Sequence, residues 1–183
     1  MNKSYITSKD LNLVFGLNLK NLKITGVEID SRKIARGNIF FAIDGKNNDG
    51  HNFIQQAKEK GAVLAVVERK SNKIKIPQIK VSDTHKALIK LAKYYRSLFK
   101  GKLIGITGSV GKTSTKDYLH YILSQSHLTY CSRQSFNNDF GLPLEILNMP
   151  KTTEIGIFEL GMNHKNEIKK LSKIAQPEIA IIL

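Results

Sequence analysis

A glycine-rich segment near the middle of the chain carries the most specific chemistry in the sequence. Gly108 and Gly111 permit backbone angles that let consecutive N–H groups converge on an anion, and the start of a following helix adds a favourable dipole. In this arrangement Lys112 would reach the β- and γ-phosphates of a nucleotide, and the Thr113 hydroxyl would bind Mg²⁺. The segment therefore predicts an ATP and Mg²⁺ site made of Thr107, Gly108, Ser109, Val110, Gly111, Lys112, Thr113 and Ser114.

One position departs from the general phosphate-loop pattern G-x-x-x-x-G-K-[ST]. The chain has Ile106 where that pattern has its first glycine. The alternative interpretation is a chance Gly-Lys-Thr turn without a ligand. A short apolar run at 103–107 before the loop and a helical pattern after it favour the phosphate site, because such loops join a strand to a helix.

A metal-bound nucleotide also needs an acidic ligand, and Glu159 is the candidate. It stands near the carboxyl end of a predicted parallel strand, 155–160, at the sheet edge where the phosphate loop is expected. A carboxylate in a mostly buried run is costly unless it binds a metal or is paired. Metal-linked function and a structural ion pair both remain open. We predict Lys112 and Glu159 as catalytic residues and Thr113 and Glu159 as metal ligands.

The elements that must position these residues alternate between strands and helices. A polar N-cap at 82–84 predicts a helix with a solvated basic face and an apolar stripe. A helix is also expected after the glycine loop, with Tyr118, Leu119, Ile122 and Leu123 on its apolar face. Another is expected over 168–175, ended by Pro177, and a third apolar strand at 178–183. Such alternation predicts a parallel sheet with right-handed crossovers. The stripe of the first helix is Ala87, Leu88, Leu91, Ala92, Tyr95, Leu98 and Phe99.

The N-terminal part reads as a smaller α/β domain. Strands are predicted at 38–43 and 62–67, with a helix at 53–60 closed by Gly61, a polar turn at 44–50, and a loop and edge strand within 69–80. The predicted division is a domain at 1–82 and a P-loop-type, parallel-sheet ATP-binding domain at 83–183. A parallel strand is normally covered on both faces, so a domain ending on its third strand is expected to be incomplete and the chain to be a fragment.

Composition limits the possible classes of function. The net charge of +14 concentrates in residues 58–102, but the lysines there alternate with an apolar stripe and few aromatic side chains interleave with them, so nucleic-acid binding is not predicted. No apolar run is long enough to span a bilayer and the N-terminus has no apolar leader, so membrane insertion is not predicted. Cys131 is the single cysteine and is read as structural, which fits a cytoplasmic protein.

With these residues in view, the chain resembles the Mur ligases, the ATP-dependent amide ligases of peptidoglycan synthesis. Their phosphate loop reads T-G-x-x-G-K-T-[ST], without the earlier glycine. Residues 137–144 resemble the stretch N-x-N-N-x-[IF]-G-[LV]-P of the MurF-type members, with Ser135 in place of the first asparagine. Residues 159–168 resemble E-M-G-x-N-x-x-G-E-I, with Asn166 in place of a glycine. The resemblance places Asn138 near the nucleotide.

The N-terminal part resembles the domain that holds the UDP portion of the substrate in this family. The matching signatures are 30–32, 37–42 and 49–53, and the resemblance implies UDP contacts for Ser31, Arg32, Asp49 and His51. Read from the residues alone, Asp30 and Arg32 would form a turn-stabilising ion pair and His51 would be a packed loop residue. Those alternatives stay open.

The resemblance also implies a reaction. An ADP-forming ligase of this type would join D-alanyl-D-alanine to UDP-N-acetylmuramoyl-tripeptide through an acyl phosphate, using ATP and Mg²⁺. Family members run to more than twice this length, so the chain taken alone is expected to be inactive. The alternatives are another ligase of the Mur or folylpolyglutamate-synthase type and a non-catalytic nucleotide-binding fragment. The oligomeric state is open, with a monomer favoured.

Overall fold

The computed structural model describes residues 6–45, 48–133 and 135–183. Residues 1–5, which enter the expectation about a leader, and Lys46 and Asn47 of the predicted polar turn lie outside that part. The chain divides into two compact units, Met1–Leu91 and Ala92–Leu183. The division falls inside one long helix, and the predicted boundary after residue 82 stays a prediction.

The first unit is built on a parallel sheet. Every neighbouring pair of its described strands is parallel, and the strand order is β1 (Gly26–Glu28), β2 (Asn38–Phe41), β3 (Leu64–Val67), β4 (Gln78–Lys80). All four residues of β2 and of β3 are buried, as expected for central strands covered on both faces. Gly61 has a φ of +101° and follows the second helix, as predicted for its closing residue. The helices are α1 (Ser8–Phe15), α2 (Ile54–Glu59) and α3 (Thr84–Leu98), and α3 continues into the second unit.

The second unit also contains a parallel sheet, and its strand order positions the site. The order of the described strands is β6 (Thr129–Cys131), β7 (Ile155–Glu159), β5 (Lys102–Thr107), β8 (Ile179–Ile182). Strand β5, which precedes the glycine loop, therefore lies between two neighbours. Ile106 on that strand is level with Glu159 at the end of the next. The loop and the predicted metal ligand therefore share one edge of the sheet. The helices of this unit are α4 (Lys112–Leu123), α5 (Gly141–Asn148) and α6 (Glu167–Ala175).

The α/β class and the parallel sheets confirm the prediction, but two predicted helix faces need correction. On α4, Tyr118 is 70% exposed and Ile122 is 60% exposed, whereas Leu119 and Leu123 pack against the sheet. The apolar face is therefore narrower than predicted. On α3, the stripe is buried through Tyr95 but Leu98 is exposed.

Four elements were not predicted. Strands β1 and β6 have three residues each, too few for a recognisable alternation. Helix α5 is buried from its first residue to Leu147, so it shows no helical period. Helix α1 did carry a signal, because Thr7 and Asp10 form a capping box at its start. No helix among the described residues has the length and apolar character needed to cross a membrane.

Candidate functional site

The glycine loop joins β5 to α4 in a conformation that requires glycine. Gly108 has a φ of +141°, and a Cβ there would lie 2.3 Å from the Leu183 carbonyl oxygen. Gly111 has a φ of +85° and caps α4 without a side-chain hydrogen bond. The first N–H groups of α4 therefore lack a side-chain acceptor at the cap, which is the arrangement that binds an anion.

Two further features fit a phosphate at this loop. Within the described part of the chain, Thr107 Oγ1 is a buried oxygen without a hydrogen-bond partner. The Lys112 ammonium folds over the loop, donating to the Gly108 carbonyl at 2.8 Å and lying 3.4 Å from the Ser109 carbonyl. A buried polar atom is normally paired, so an unpaired one at the start of the loop fits a site that a polar ligand completes. Ser109, Val110 and Ser114 are exposed around this centre.

The predicted metal ligands lie together. Glu159 is 6% exposed, and its Oε2 accepts a hydrogen bond from Thr113 Oγ1 at 2.9 Å. The expectation that the phosphate loop and this carboxylate are close is therefore confirmed. No group of three or more His, Cys, Asp or Glu side chains suited to a metal occurs among the residues described. One carboxylate and one hydroxyl nevertheless fit Mg²⁺ at a nucleotide site, since it commonly takes few protein ligands and completes its shell with phosphates and water.

Asn137 was missed as a site residue, and its neighbour was chosen instead. Asn137 Nδ2 donates to Glu159 Oε1 at 2.8 Å, so the carboxylate is held from both sides. A Cβ on Gly161 would lie 2.7 Å from the Asn137 side chain, which explains a glycine there. The side chain of Asn138 accepts from the backbone N–H groups of Phe140 and Gly141, the latter being the first residue of α5. Both asparagines line the same cavity, but Asn137 contacts the acid.

That cavity has a volume of about 270 Å³ and extends from the glycine loop to α6. Glu167 at the start of α6 accepts from the N–H groups of Asn163 and His164, and these bonds lower the pKa of its carboxyl. The two hydrogen bonds hold the loop that precedes α6 in place. Lys170, also unpredicted, is a second lysine in the lining of the cavity. The lining residues that matter here are Lys112, Asn137, Asn138, Glu159, Glu167 and Lys170.

A buried carboxylate organises the segment that carries the two asparagines. Glu145 on α5 has no exposed surface and accepts from Tyr130 Oη at 2.9 Å, Arg133 N at 2.8 Å and Arg133 Nε at 2.6 Å. Burial, followed by the charge of Glu145, raises the pKa of Tyr130. The Glu145 carboxylate and its donors on Tyr130 and Arg133 are hydrogen-bonded to one another, so the turn between β6 and α5 is held in place next to the site.

In the first unit, the residues implied to contact UDP lie beside α2. Ser31 is buried and its hydroxyl donates to Gln56 on that helix. Arg32 makes a two-point contact with Asp30, at 2.9 Å for each bond, while its side chain remains 79% exposed. The hydrogen bonds from Arg32 lower the pKa of Asp30. The ion pair is present, and the guanidinium keeps an exposed surface.

Asp49 and His51 form a second cluster at the turn before α2. His51 Nδ1 contacts Asp49 at 2.6 Å, and Nε2 accepts from the Glu68 N–H at 2.9 Å. Arg69 pairs with Asp49 as well. Both ring nitrogens of His51 are used within the protein, which is the packed-loop geometry. The UDP contacts of Ser31, Arg32, Asp49 and His51 stay predictions.

Two family models match the chain, and each covers one of these regions. The model described as Mur ligase family, catalytic domain, matches residues 23–96, and that of the Mur ligase middle domain matches 106–183. The chain belongs to the Mur ligase family. The second match contains the glycine loop, Asn137 and Glu159, so the site built above lies within the family's middle domain.

Individual Mur ligases are similar over nearly all of the chain. It is 42% identical over 179 residues to the UDP-N-acetylmuramoyl-tripeptide–D-alanyl-D-alanine ligase of Rickettsia prowazekii, covering 96% of the chain and 39% of the relative. A MurF structure from Acinetobacter baumannii matches with a TM-score of 0.86 at 36% identity, over 96% of the chain and 40% of that protein. The MurF ligase of Thermotoga maritima in complex with ADP matches with 0.75 at 34% identity, over 86% and 36%. The chain thus spans about two fifths of these relatives' length.

Proposed function

We propose that the chain forms the nucleotide site and the UDP-substrate site of an ATP-dependent amide ligase of the MurF type. Such a ligase joins D-alanyl-D-alanine to UDP-N-acetylmuramoyl-tripeptide and forms ADP. The observation that carries the proposal is the Glu159 carboxylate, held between Thr113 and Asn137 directly beside the glycine loop. The activity named for the relatives at 34–42% identity supports the choice of substrates.

The residues divide the work of phosphoryl transfer among them. The loop N–H groups bind the phosphates, and the Lys112 ammonium, now on loop carbonyls, turns to neutralise the charge of the transferred group. Thr113 and Glu159 would hold Mg²⁺, which supplies positive charge against the phosphate oxygens when bound. The substrate carboxylate then attacks the γ-phosphorus of ATP, whose bond to the β-phosphate oxygen breaks, so that ADP leaves and an acyl phosphate forms. The dipeptide amine attacks the acyl carbon, and phosphate and a proton leave as the amide forms. Asn137 keeps Glu159 in position.

The UDP end of the substrate is assigned to the first unit. Arg32 offers an exposed guanidinium, the side chain best suited to a diphosphate, and its pairing with Asp30 holds it in place. Ser31, Asp49 and His51 are proposed to shape the loops around the nucleotide. A cytoplasmic, monomeric protein stays a prediction.

Nucleotide binding is tested by Lys112→Ala. We expect the affinity for ATP with Mg²⁺ to fall at least about tenfold, because hydrogen bonds to charged groups contribute roughly 1.5–3 kcal/mol. Calorimetric titration measures both proteins. Lys173→Ala serves as the matched control, since that lysine is exposed on α6 and does not line the cavity. Equal affinities for the wild type and the Lys112 variant would contradict the phosphate assignment.

Ligation is measured separately, because the chain spans 39% of the length of the Rickettsia relative. Any ADP release is expected to require both UDP-N-acetylmuramoyl-tripeptide and D-alanyl-D-alanine, and to give a product whose mass matches their amide. Release that is supported equally by a free amino acid as acceptor would show a different ligase. The predicted inactivity of residues 1–183 alone is read from the same assay.

A further inference from the structure

Lys116 on α4 is a buried ammonium that the phosphate chemistry does not use. Only 3% of the residue is exposed, and its Nζ donates to the Ser132 carbonyl at 2.7 Å. The nearest carboxylate, on Asp117, is 3.4 Å away and belongs to a side chain that is 63% exposed. Burying an ammonium costs free energy that an apolar side chain of similar length would not cost. Because of this cost, the hydrogen bond from Lys116 to Ser132 is expected to contribute more than packing.

Ser132 connects Lys116 to Glu159, the predicted metal ligand. It is 1% exposed, and its N–H donates to the Ile157 carbonyl at 2.9 Å. Its hydroxyl accepts from the backbone N–H of Glu159 at 3.2 Å. One residue therefore contacts α4 through its carbonyl and the end of β7 through its hydroxyl. It also begins the segment that leads to Asn137.

These contacts close a ring around Glu159. Thr113 and Lys116 lie one turn apart on α4. The Thr113 hydroxyl donates to the Glu159 carboxylate at 2.9 Å. The Lys116 ammonium donates to the Ser132 carbonyl, and the Ser132 hydroxyl accepts from the Glu159 backbone N–H. Helix α4 carries Thr113 and strand β7 carries Glu159, and the two elements are therefore connected at two points, directly through Thr113 and indirectly through Lys116 and Ser132. Such outer contacts orient metal ligands and set the affinity of the site.

We propose that Lys116 is a positioning residue for the metal–nucleotide site. It holds Ser132 against α4 and so fixes the Glu159 carboxylate at the distance from Thr113 that a divalent cation needs. The inference rests on the proposed function, since it assumes that Thr113 and Glu159 share a cation with a nucleotide. A lysine that only stabilised the fold would affect all ligands equally.

The first test separates metal-dependent from metal-free nucleotide binding. ADP is titrated calorimetrically into the wild type, Lys116→Met and Lys116→Arg, with Mg²⁺ and with a chelator in place of the metal. In Lys116→Met we expect the affinity for metal-free ADP to stay within about twofold of wild type. The factor by which Mg²⁺ increases the affinity for ADP should fall about tenfold or more. Lys116→Arg should recover most of the gain, because it restores a donor to Ser132. Lys173→Met, on an exposed lysine, should resemble the wild type.

Two outcomes overturn the proposal. One is an undiminished Mg²⁺ gain in folded Lys116→Met, and the other is an equal loss with and without metal. If the wild type bound no ADP under either condition, the proposed function itself would be contradicted.

A second measurement needs neither ligand nor metal. Amide hydrogen exchange of the free protein should show faster exchange at Glu159 in Lys116→Met, because the acceptor Ser132 is released. The amide of Leu103 on β5, which donates to Glu178, serves as the internal reference. Equal acceleration of both amides would indicate general destabilisation and would overturn the positioning role. This readout remains valid even if nucleotide binding is absent.

Discussion

Two residues at which the chain departs from the MurF-type patterns adopt left-handed backbone conformations. Asn166 has a φ of +72°, where the family pattern has glycine, and Ser135 has a φ of +67°, where it has asparagine. Glycine and asparagine are the residues that adopt this conformation most readily. Asn166 therefore replaces a glycine at little cost, whereas Ser135 is the less suitable residue for its place.

Restoring asparagine at Ser135 should stabilise the protein. We expect Ser135→Asn to raise the free energy of unfolding by about 0.5–1 kcal/mol, since asparagine tolerates the left-handed region better than serine. Urea denaturation at neutral pH measures the change. Ser135→Ala is the control, because alanine lacks that preference. An equal gain from both variants would mean that the serine hydroxyl, rather than the backbone, causes the effect.

At the scale of elements, one arginine joins α3 to the end of α6. The basic residues of α3 were predicted to face solvent, but Arg96 is 6% exposed. Its guanidinium donates to the carbonyls of Ala175 and Gln176 and to the Glu178 carboxylate. A cation at a helix C-terminus satisfies carbonyls that lack intrahelical partners. Glu178 in turn accepts from the N–H of Leu103, so β5 is fixed as well.

This arrangement predicts a pH-dependent stability. Burial raises the pKa of Glu178, but the bonds from the Leu103 N–H and Arg96 outweigh it, and the net pKa lies below the ordinary 4.5. A carboxyl whose pKa is lowered by folding stabilises above its unfolded pKa and loses that contribution as pH falls through the folded value. Glu178→Gln should therefore cost about 1 kcal/mol at neutral pH, a figure reduced for solvent screening of a side chain that is 38% exposed.

The check is urea denaturation of Glu178→Gln and wild type at neutral pH and again below pH 4.5. The difference in unfolding free energy should shrink at the acidic pH. Glu59→Gln, which changes an exposed carboxyl on α2, is the control variant. A difference that stays constant across this range would mean that the charge of Glu178 does not contribute.

The sequence predicted the elements whose signal is local. The strand, loop and helix around Lys112 follow from residue types in one continuous stretch, and Glu159 could be assigned because parallel strands end at a common edge. Burial depends instead on neighbours distant in sequence, so Tyr118 and Ile122 were wrongly placed inside. The choice of Asn138 over Asn137 was equally undetermined, since backbone angles decide which adjacent amide reaches the acid. Helix α5 is buried on every side, Glu145 included, so it offered no period to detect.

At the scale of the whole molecule, two parallel sheets each carry a candidate site for a polyphosphate ligand. The first has the exposed Arg32 beside α2, and the second has the glycine loop at the end of β5. The net charge of +14 favours association with anionic ligands in general. Charge alone therefore cannot distinguish which unit takes UDP and which takes ADP. That assignment depends on the geometry of each site.

Hydrogen exchange with each ligand decides the assignment. A ligand that binds only the folded site stabilises it by about 2.7 kcal/mol at a hundred times its Kd, and the protection concentrates where local opening would release it. UDP should protect peptides covering 26–60, and ADP with Mg²⁺ should protect those covering 103–114, 132–139 and 155–171. Uridine, which lacks the diphosphate, is the control and should give weaker protection near Arg32.

Because UDP also carries a diphosphate, the glycine loop could bind it, and competition with ADP reveals this. If UDP protected only the loop and ADP abolished that protection, the first unit would lose its assigned ligand, and Asp30 and Arg32 would remain a structural ion pair.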